Sequence, residues 1–457
     1  MKRGNNMGRL FGTDGVRGVA NTELSCEIAM SIGRAAAAVL GDGSRRRPVF
    51  VIGCDTRASS DMLCGAITAG LCSVGADVIH LGVIPTPAVA YLVLRYKADA
   101  GIMISASHNP AEFNGIKIFS GDGFKLPDAL EERIEAIVLD GEATPALPSG
   151  DAVGRVRYAA DAVKDYVRHI KSSVHHSLDG LRIAVDCANG AASTTAKALF
   201  EGLGATVHIL NDTPDGVNIN KDCGSTHLEA LSKYVVKNRL DCGVAFDGDA
   251  DRCLCIDEMG REVDGDMIMA ICALDLRKRG KLNHDTVVGT VMTNFGFSKF
   301  CEEMDLRFVA TKVGDRYVLE NMLLEDYSFG GEQSGHIIFL DFATTGDGQL
   351  TATQLLCHMK CEGKPLSALA SVMTRYPQTT VNVRTTPEGK VAFYTDKEIA
   401  EKIRSAKEAL GNTGRILVRP SGTEPLIRVM AEGLETELTE KTARDVADFI
   451  IERLKCK

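Results

Sequence analysis

At 457 residues with a formal charge of −9, the chain has room for about three domains of ordinary size, at roughly 100 to 200 residues each. Hydrophobic residues at 45% and charged residues at 25% are the proportions of a globular protein and exclude a disordered or fibrous one. The mildly acidic balance, with no long basic run and no stretch of roughly 18 apolar residues, argues against nucleic-acid and membrane partners while leaving room for a local anion pocket.

The opening segment lacks the apolar region of a secretory signal, which predicts a cytoplasmic protein. The fourteen cysteines lie mostly in apolar stretches and read as small buried hydrophobes. The first strand pattern begins at Val49, passes Asp55-Thr56-Arg57 and leads into a helix near Asp61 to Val74, with a second strand from Ala76 to Ile79. An apolar strand at Gly101 to Ile104 then ends in Ser105-Ala106-Ser107-His108-Asn109-Pro110, ahead of Asn114-Gly115-Ile116-Lys117. This sets hydroxyls at the end of a rigid element, where α/β folds place their sites. Gly141 to Gly154 reads as a linker.

The strand–loop–helix–strand pattern recurs from Leu181 to Ile209 and from Thr286 to Val309. Strands alternating with helices predict mostly parallel sheets covered on both faces. Between the last two copies lies Asp247-Gly248-Asp249-Ala250-Asp251-Arg252, flanked by apolar strand patterns. Three carboxylates separated only by Gly and Ala can converge on one point, where each close pair repels by roughly 1 to 4 kcal/mol at effective dielectrics of 80 to 20. A bound cation relieves that cost, and oxygen-only ligation favours Mg²⁺. A calcium loop is the rival, with Glu258 at its twelfth position, but Arg252 stands where that loop's turn needs Gly.

Gly330-Gly331-Glu332-Gln333-Ser334-Gly335-His336 carries groups suited to reading sugar hydroxyls, although a polar hairpin connection also accounts for it. The tail differs: a strand at Thr380 to Arg384, a helix opening at Thr395 with Glu398 three residues on as a capping box, two further strands and a terminal helix. The loop between those strands, Arg419-Pro420-Ser421-Gly422-Thr423, offers a guanidinium, hydroxyls and amides to a phosphate. The reading is three similar mixed α/β domains at 1–154, 155–257 and 258–372, then a smaller α+β domain at 373–457.

Taken together in chain order, Phe11 to Gly18, Ser105 to Pro110, Asp247 to Arg252, Gly331 to His336 and Arg419 to Pro425 resemble the α-D-phosphohexomutases, with the opening segment, Gln333 and Asp315 similar to the branch acting on glucosamine phosphates. The resemblance implies four domains around a central cleft. It implies Ser107 as a phosphoserine, and one Mg²⁺ held by Asp247, Asp249, Asp251 and the Ser107 phosphate. Arg17, His108, Lys117 and Arg252 then line the reacting centre, with proton transfer left open between His108 and Lys117. Gly314, Asp315, Glu332, Ser334 and His336 would face the sugar, and Arg419, Ser421, Gly422, Thr423 and Arg428 the phosphate that is not reacting. The implied reaction moves phosphate between positions 6 and 1 of a sugar through a 1,6-bisphosphate, in a monomer or homodimer. For Asp315, a salt bridge to Arg316 or Lys312 is the plain alternative. The rivals are a mutase for mannose or glucose phosphates, a phosphatase passing through Ser107, and a non-catalytic sugar-phosphate-binding regulator.

Overall fold

The computed structural model describes residues 9–12, 14–41, 47–143, 145–174, 176–421 and 425–454. Two compact units emerge. One comprises Met1–Met292 with Arg307–Val372, the other Thr293–Leu306 with Met373–Lys457.

The first unit holds three sheets. Strands β1 (Val16–Val19), β2 (Val49–Cys54), β3 (Asp77–Val83), β4 (Ala100–Ile104), β5 (Phe113–Ser120) and β6 (Val156–Tyr158) form a sheet in the order β1-β5-β4-β2-β3-β6. Its centre, β4-β2-β3, is parallel, and β5 pairs antiparallel with both β1 and β4. All of β4 is buried, as expected of a strand covered on both faces. The helices Cys26–Leu40 and Ala58–Ser73 pack over this sheet, burying Ile32, Phe50, Leu63, Ile67 and Leu71 in one core. Ser25 starts the first of them by accepting the Ile28 N–H, satisfying one of the donors a helix leaves open at its N-terminus.

The second sheet contains β7 (Arg182–Asp186), β8 (Thr206–Leu210), β9 (Cys242–Phe246), β10 (Cys253–Asp257) and β11 (Glu262–Val263), in the order β11-β10-β9-β7-β8. Here β8, β7 and β9 run parallel, while β9 and β10 make an antiparallel hairpin. The third combines β12 (Thr286–Thr290), β13 (Arg307–Thr311), β14 (Phe329–Gly331) and β15 (Ile337–Phe339) as β13-β12-β14-β15, parallel except for the β14–β15 hairpin. The expectation of parallel strands therefore holds at each sheet's centre, and the antiparallel pairs carry the acidic loop and the Glu332 loop as hairpin connections.

The second unit is built on an antiparallel sheet of β16 (Gln378–Arg384), β17 (Gly414–Pro420) and β18 (Leu426–Gly433), with β18 in the middle. Helices Lys397–Leu410 and Thr436–Leu454 contribute Ile399, Leu410, Val446 and Ile450 to its core. The expected capping box is corrected here. Thr395 is the last residue of a preceding helix, Pro387–Thr395, and Asp396 is the cap, accepting from the Glu398 and Ile399 N–H groups. A carboxylate one residue on serves the same orphan donors with a full charge, in the favourable position at the helix N-terminus.

Candidate functional site

Three loops that bear the expected chemistry leave the C-terminal ends of β4, β9 and β14, all within the first unit. The loop after β4 is held from below. Arg57, buried, donates Nε to Asp55 Oδ2 at 2.8 Å. Its remaining nitrogens reach the carbonyls of Ser107 at 3.0 Å, Asn109 at 2.8 Å, Phe113 at 2.9 Å and Pro110. Asn220 donates to the Ser107 and Asn109 carbonyls at 2.9 and 3.1 Å. Asp55 also accepts from Ser105 Oγ at 2.6 Å, and Ser105 Oγ in turn accepts the Ser107 N–H at 3.0 Å. Ser107 sits at φ 54°, a left-handed conformation that costs a non-glycine residue energy and persists only where the surroundings over-determine it.

The Ser107 hydroxyl donates to Asp247 Oδ2 at 2.6 Å, and His108 Nδ1 lies 3.4 Å from the same Oγ. Burial, reinforced by Arg252 and Arg17, holds the His108 imidazole down to about 4, so it is neutral at physiological pH. Gly248 explains how the two loops come so close: a Cβ there would stand 2.5 Å from the Ser107 carbonyl and 2.8 Å from Asn220 Nδ2.

Asp247, Asp249 and Asp251 each present a carboxylate oxygen, all within 4.8 Å of one another and all buried. Burial, then the charges of Asp251 and Asp249, push the Asp247 carboxyl well above its ordinary range. Asp249 Oδ2 is satisfied by Thr86 Oγ1 at 2.5 Å and Lys117 Nζ at 2.8 Å, whereas Oδ1 of both Asp249 and Asp251 is buried without a hydrogen-bond partner. Orphaned carboxylate oxygens beside a hydroxyl, with no nitrogen or sulfur donor in the set, fit a hard divalent cation. The calcium-loop alternative does not fit: β9 and β10 flank the loop as a hairpin, and Glu258 is engaged by Ser367 N–H and Oγ.

Lys117 joins this cluster from β5. Its ammonium lies 3.1 Å from Asp14 Oδ2, 2.8 Å from Asp249 and 3.2 Å from Asp251. Burial alone would lower its pKa; the three carboxylates outweigh that and hold it well above the usual lysine range. Arg17 pairs with Asp14 at 2.5 Å, and Arg252 Nε is 3.9 Å from Asp251 Oδ1.

The loop after β14 supplies Glu332, Ser334 and His336, the first two partly exposed. Gly335, at φ 91°, presses against the Cys253 backbone so closely that a side chain has no room, which ties this loop to the start of β10. His336 Nε2 accepts the Gly346 N–H at 3.0 Å, so Nδ1 carries the proton facing Asp251 Oδ2 at 3.6 Å. Glu332 Oε1 accepts the Gly314 N–H at 3.0 Å. Asp315 pairs with Lys125 and approaches His336 Nε2 at 3.4 Å. It does not pair with Arg316, which reaches Asp128 and Glu131 instead, or with Lys312, which lies over the Tyr317 ring.

In the second unit, Arg419 and Arg428 face each other across β17 and β18. Burial, then the nearby Arg428 charge, lowers the Arg419 pKa, as expected of two guanidiniums brought close together. Lys390 Nζ donates to the Ser421 carbonyl at 2.5 Å. Gly422 and Thr423 lie outside the described residues.

Sequence reasoning missed Asp14, Asp55, Lys125 and Asn220 as parts of this site, and treated Arg57 only as a loop residue. Asp55 and Arg57 had a usable signal, a charged pair at the end of an apolar strand, and Asp14 lies in the Phe11 to Gly18 segment that carries the resemblance; Lys125 and Asn220 had none.

These features define a protein whose serine hydroxyl, buried carboxylate cluster and surrounding cations are placed for phosphoryl chemistry. Four domain models of the phosphoglucomutase/phosphomannomutase family match in order: α/β/α domain I at residues 8–144, domain II at 164–260, domain III at 264–376 and the C-terminal domain at 381–449. The chain belongs to this family. It is 54% identical over 448 residues to the phosphoglucosamine mutase of Acetivibrio thermocellus, covering 98% of this chain and 100% of that one. To the phosphoglucosamine mutase of Clostridium novyi it is 53% identical, covering 98% and 99%. Among solved structures, a phosphoglucomutase/phosphomannomutase family protein from Burkholderia thailandensis superposes with a TM-score of 0.82 at 24% identity, over 97% of each chain. An Aspergillus fumigatus N-acetylphosphoglucosamine mutase, solved in complex with GlcNAc-6P and magnesium, does so with a TM-score of 0.62 at 20% identity, over 85% of this chain and 94% of that one. Among the described residues no helix is long and apolar enough to cross a membrane.

Proposed function

We propose that this chain is a phosphoglucosamine mutase, interconverting glucosamine 6-phosphate and glucosamine 1-phosphate through phospho-Ser107 and a 1,6-bisphosphate, in the cytoplasm, as a monomer or homodimer. Its domains are taken as 1–154, 155–257, 258–372 and 373–457. The observation that carries the reading is the Ser107 hydroxyl held on Asp247 at 2.6 Å beside the other two buried aspartates. The identity of 50% or more, over nearly the whole length, to relatives bearing that name selects the amino sugar.

Asp247, Asp249, Asp251 and phospho-Ser107 would hold Mg²⁺, which supplies charge neutralisation to a transferring phosphoryl group. The chain's own residues do the remaining work. Ser107, clamped through its carbonyl by Arg57 and Asn220, keeps its oxygen in one place while the bond to phosphorus breaks on donation and forms on return. Sugar O1 attacks the phosphoryl group, its proton leaves, and a 1,6-bisphosphate results. That intermediate turns end for end, and its 6-phosphoryl group returns to Ser107, freeing O6. His108 and Lys117 carry the proton from and to the sugar oxygens; His108 is neutral and next to Oγ, and Lys117 is an ammonium among carboxylates. Arg17 and Arg252 balance charge on the transferring group. Glu332, Ser334, His336, Gly314 and Asp315 hold the sugar, and Arg419, Ser421, Gly422, Thr423 and Arg428 grip the distal phosphate in either orientation.

The test is kcat/KM on the phosphates of glucosamine, N-acetylglucosamine, glucose and mannose, with Ser107 phosphorylation followed by intact mass. Preference for glucosamine phosphate supports the reading. A clear preference for mannose or glucose phosphate assigns the chain to another mutase of the family, and free phosphate as the main product makes it a phosphatase.

A further inference from the structure

Lys125 was silent in the sequence, yet its ammonium joins the reacting centre to the turn that steadies Glu332, beside His336, which lies between Asp251 and Asp315. It leaves the hairpin beyond β5, anchored by the bridge between Phe119 and Lys125, and its side chain is 10% exposed. The ammonium binds Asp14 Oδ1 at 2.5 Å and also Asp315 Oδ2, residues 111 and 190 positions away along the chain. Burial opposes its charge, but Asp14 and Asp315 outweigh burial and raise it to about 12; it is a cation at every working pH.

The two carboxylates face different duties. Asp14 Oδ2 takes Arg17 and Lys117, the cations that border the three aspartates. Asp315 opens the helix Asp315–Leu324, and the residue before it, Gly314, has φ 126°, open only to glycine at low cost. Gly314 is lightly packed, with only Tyr317 ring atoms within 4 Å of where a Cβ would stand. Its N–H is nevertheless the donor that fixes Glu332 Oε1 at 3.0 Å. Arg316, the next residue, ties the helix to Leu126, Asp128 and Glu131, so the helix keeps an anchor without Lys125. What Lys125 adds is a link from that turn to Asp14.

We propose that Lys125 is a positioning residue for substrate discrimination: by holding Asp315 against Asp14 it sets the Gly314 amide, and through it the direction of the Glu332 carboxylate toward the sugar. This inference rests on the mutase reading above. A buried ammonium bridging two carboxylates is directional enough to do this, because moving either partner leaves a charge uncompensated.

The experiment is a double-mutant cycle of Lys125→Met and Glu332→Gln, with kcat and KM measured for glucosamine 1-phosphate and glucose 1-phosphate and folding checked by circular dichroism. If Lys125 acts through Glu332, Lys125→Met raises KM and narrows the preference between the two sugars by about tenfold. The double variant then resembles Glu332→Gln alone, and Lys125→Arg, which retains the cation, recovers most of the preference. Additive losses in the cycle, an unchanged preference in Lys125→Met, or an equal fall in kcat on both sugars with KM unmoved would overturn the proposal. Should Lys125→Met fail to fold, Asp315→Asn enters the same cycle with Glu332→Gln, with the same outcomes. Inactivity of the wild-type protein on both sugars is a different failure: it removes the mutase reading and takes this inference with it.

Discussion

Ser107 Oγ and Asp247 Oδ2 lie 2.6 Å apart although 140 residues separate them in the chain. The hydroxyl donates into a carboxylate that burial and two neighbouring aspartates already hold well above its ordinary range. A serine in this position touches the cluster that would neutralise a phosphoryl group attached to it. Ser107→Ala is therefore expected to abolish mutase turnover and phosphoserine formation together. It removes one buried hydrogen bond to a charged group, worth about 1.5–3 kcal/mol, and leaves the fold intact. Intact mass, circular dichroism and a coupled assay check this; near-normal turnover with the protein folded excludes Ser107 as the phosphoryl carrier.

The unpartnered oxygens of Asp249 and Asp251 lead to a second expectation. A ligand that binds only the folded chain stabilises it by RT ln(1 + [L]/Kd), about 2.7 kcal/mol at a hundredfold excess over Kd. Mg²⁺ should raise the thermal midpoint of the wild-type protein. Asp249→Asn keeps an oxygen in place but removes one of three charges, so the rise should shrink and Mg²⁺-dependent turnover should fall sharply. An equal rise in both proteins would place the ion elsewhere.

The loops that could be read from the sequence were those whose chemistry is contiguous: Ser105 to Pro110, Asp247 to Arg252 and Glu332 to His336 each carry their functional groups within a few residues and follow an apolar strand. Arg57, Asn220 and Lys125 act by reaching across the fold, 50 to 190 residues from their partners, and local pattern holds no record of such pairs. Asp315 shows the same limit: its sequence neighbours Lys312 and Arg316 were the obvious cations, and both turn to other partners. In the C-terminal unit, Thr395 and Asp396 are both good capping residues, and the short helix ending at Thr395, which decides between them, has too little periodicity to foresee.

Arg57 provides a stability test. Its guanidinium is fully buried against Asp55 and gathers the carbonyls of Ser107, Asn109, Pro110 and Phe113. Arg57→Met leaves Asp55 charged in a site where burial already raises its pKa despite the arginine, and takes a donor from each of those carbonyls, of which Ser107 and Asn109 keep Asn220. Removing one member of a buried ion pair costs about 3–5 kcal/mol, so the urea midpoint should drop steeply and turnover with it. Arg57→Lys should recover only part of the loss, because an ammonium cannot span the fork that a guanidinium fills. Full recovery by lysine would show that charge alone matters here.

Asp347 makes stability depend on pH. It caps the helix Gly348–Glu362, accepting from Leu350 N–H, and both its oxygens receive the Tyr166 hydroxyl, at 2.9 and 3.0 Å. Burial raises its carboxyl to about 7, even though the Leu350 N–H and Tyr166 hydroxyl favour the charged form. An aspartate in the unfolded chain titrates near 3.9. Between those values the folded state binds more protons than the unfolded state, so this group's contribution to stability falls as pH rises from about 4 to about 7 and is flat beyond. Asp347→Asn keeps an acceptor for Leu350 and Tyr166 and cannot ionise. Relative to wild type, its unfolding midpoint should therefore gain steadily across that window, with the two curves parallel above it. A wild-type-minus-variant difference that does not change between pH 4 and 7 would mean that Asp347 is ionised in the folded protein throughout.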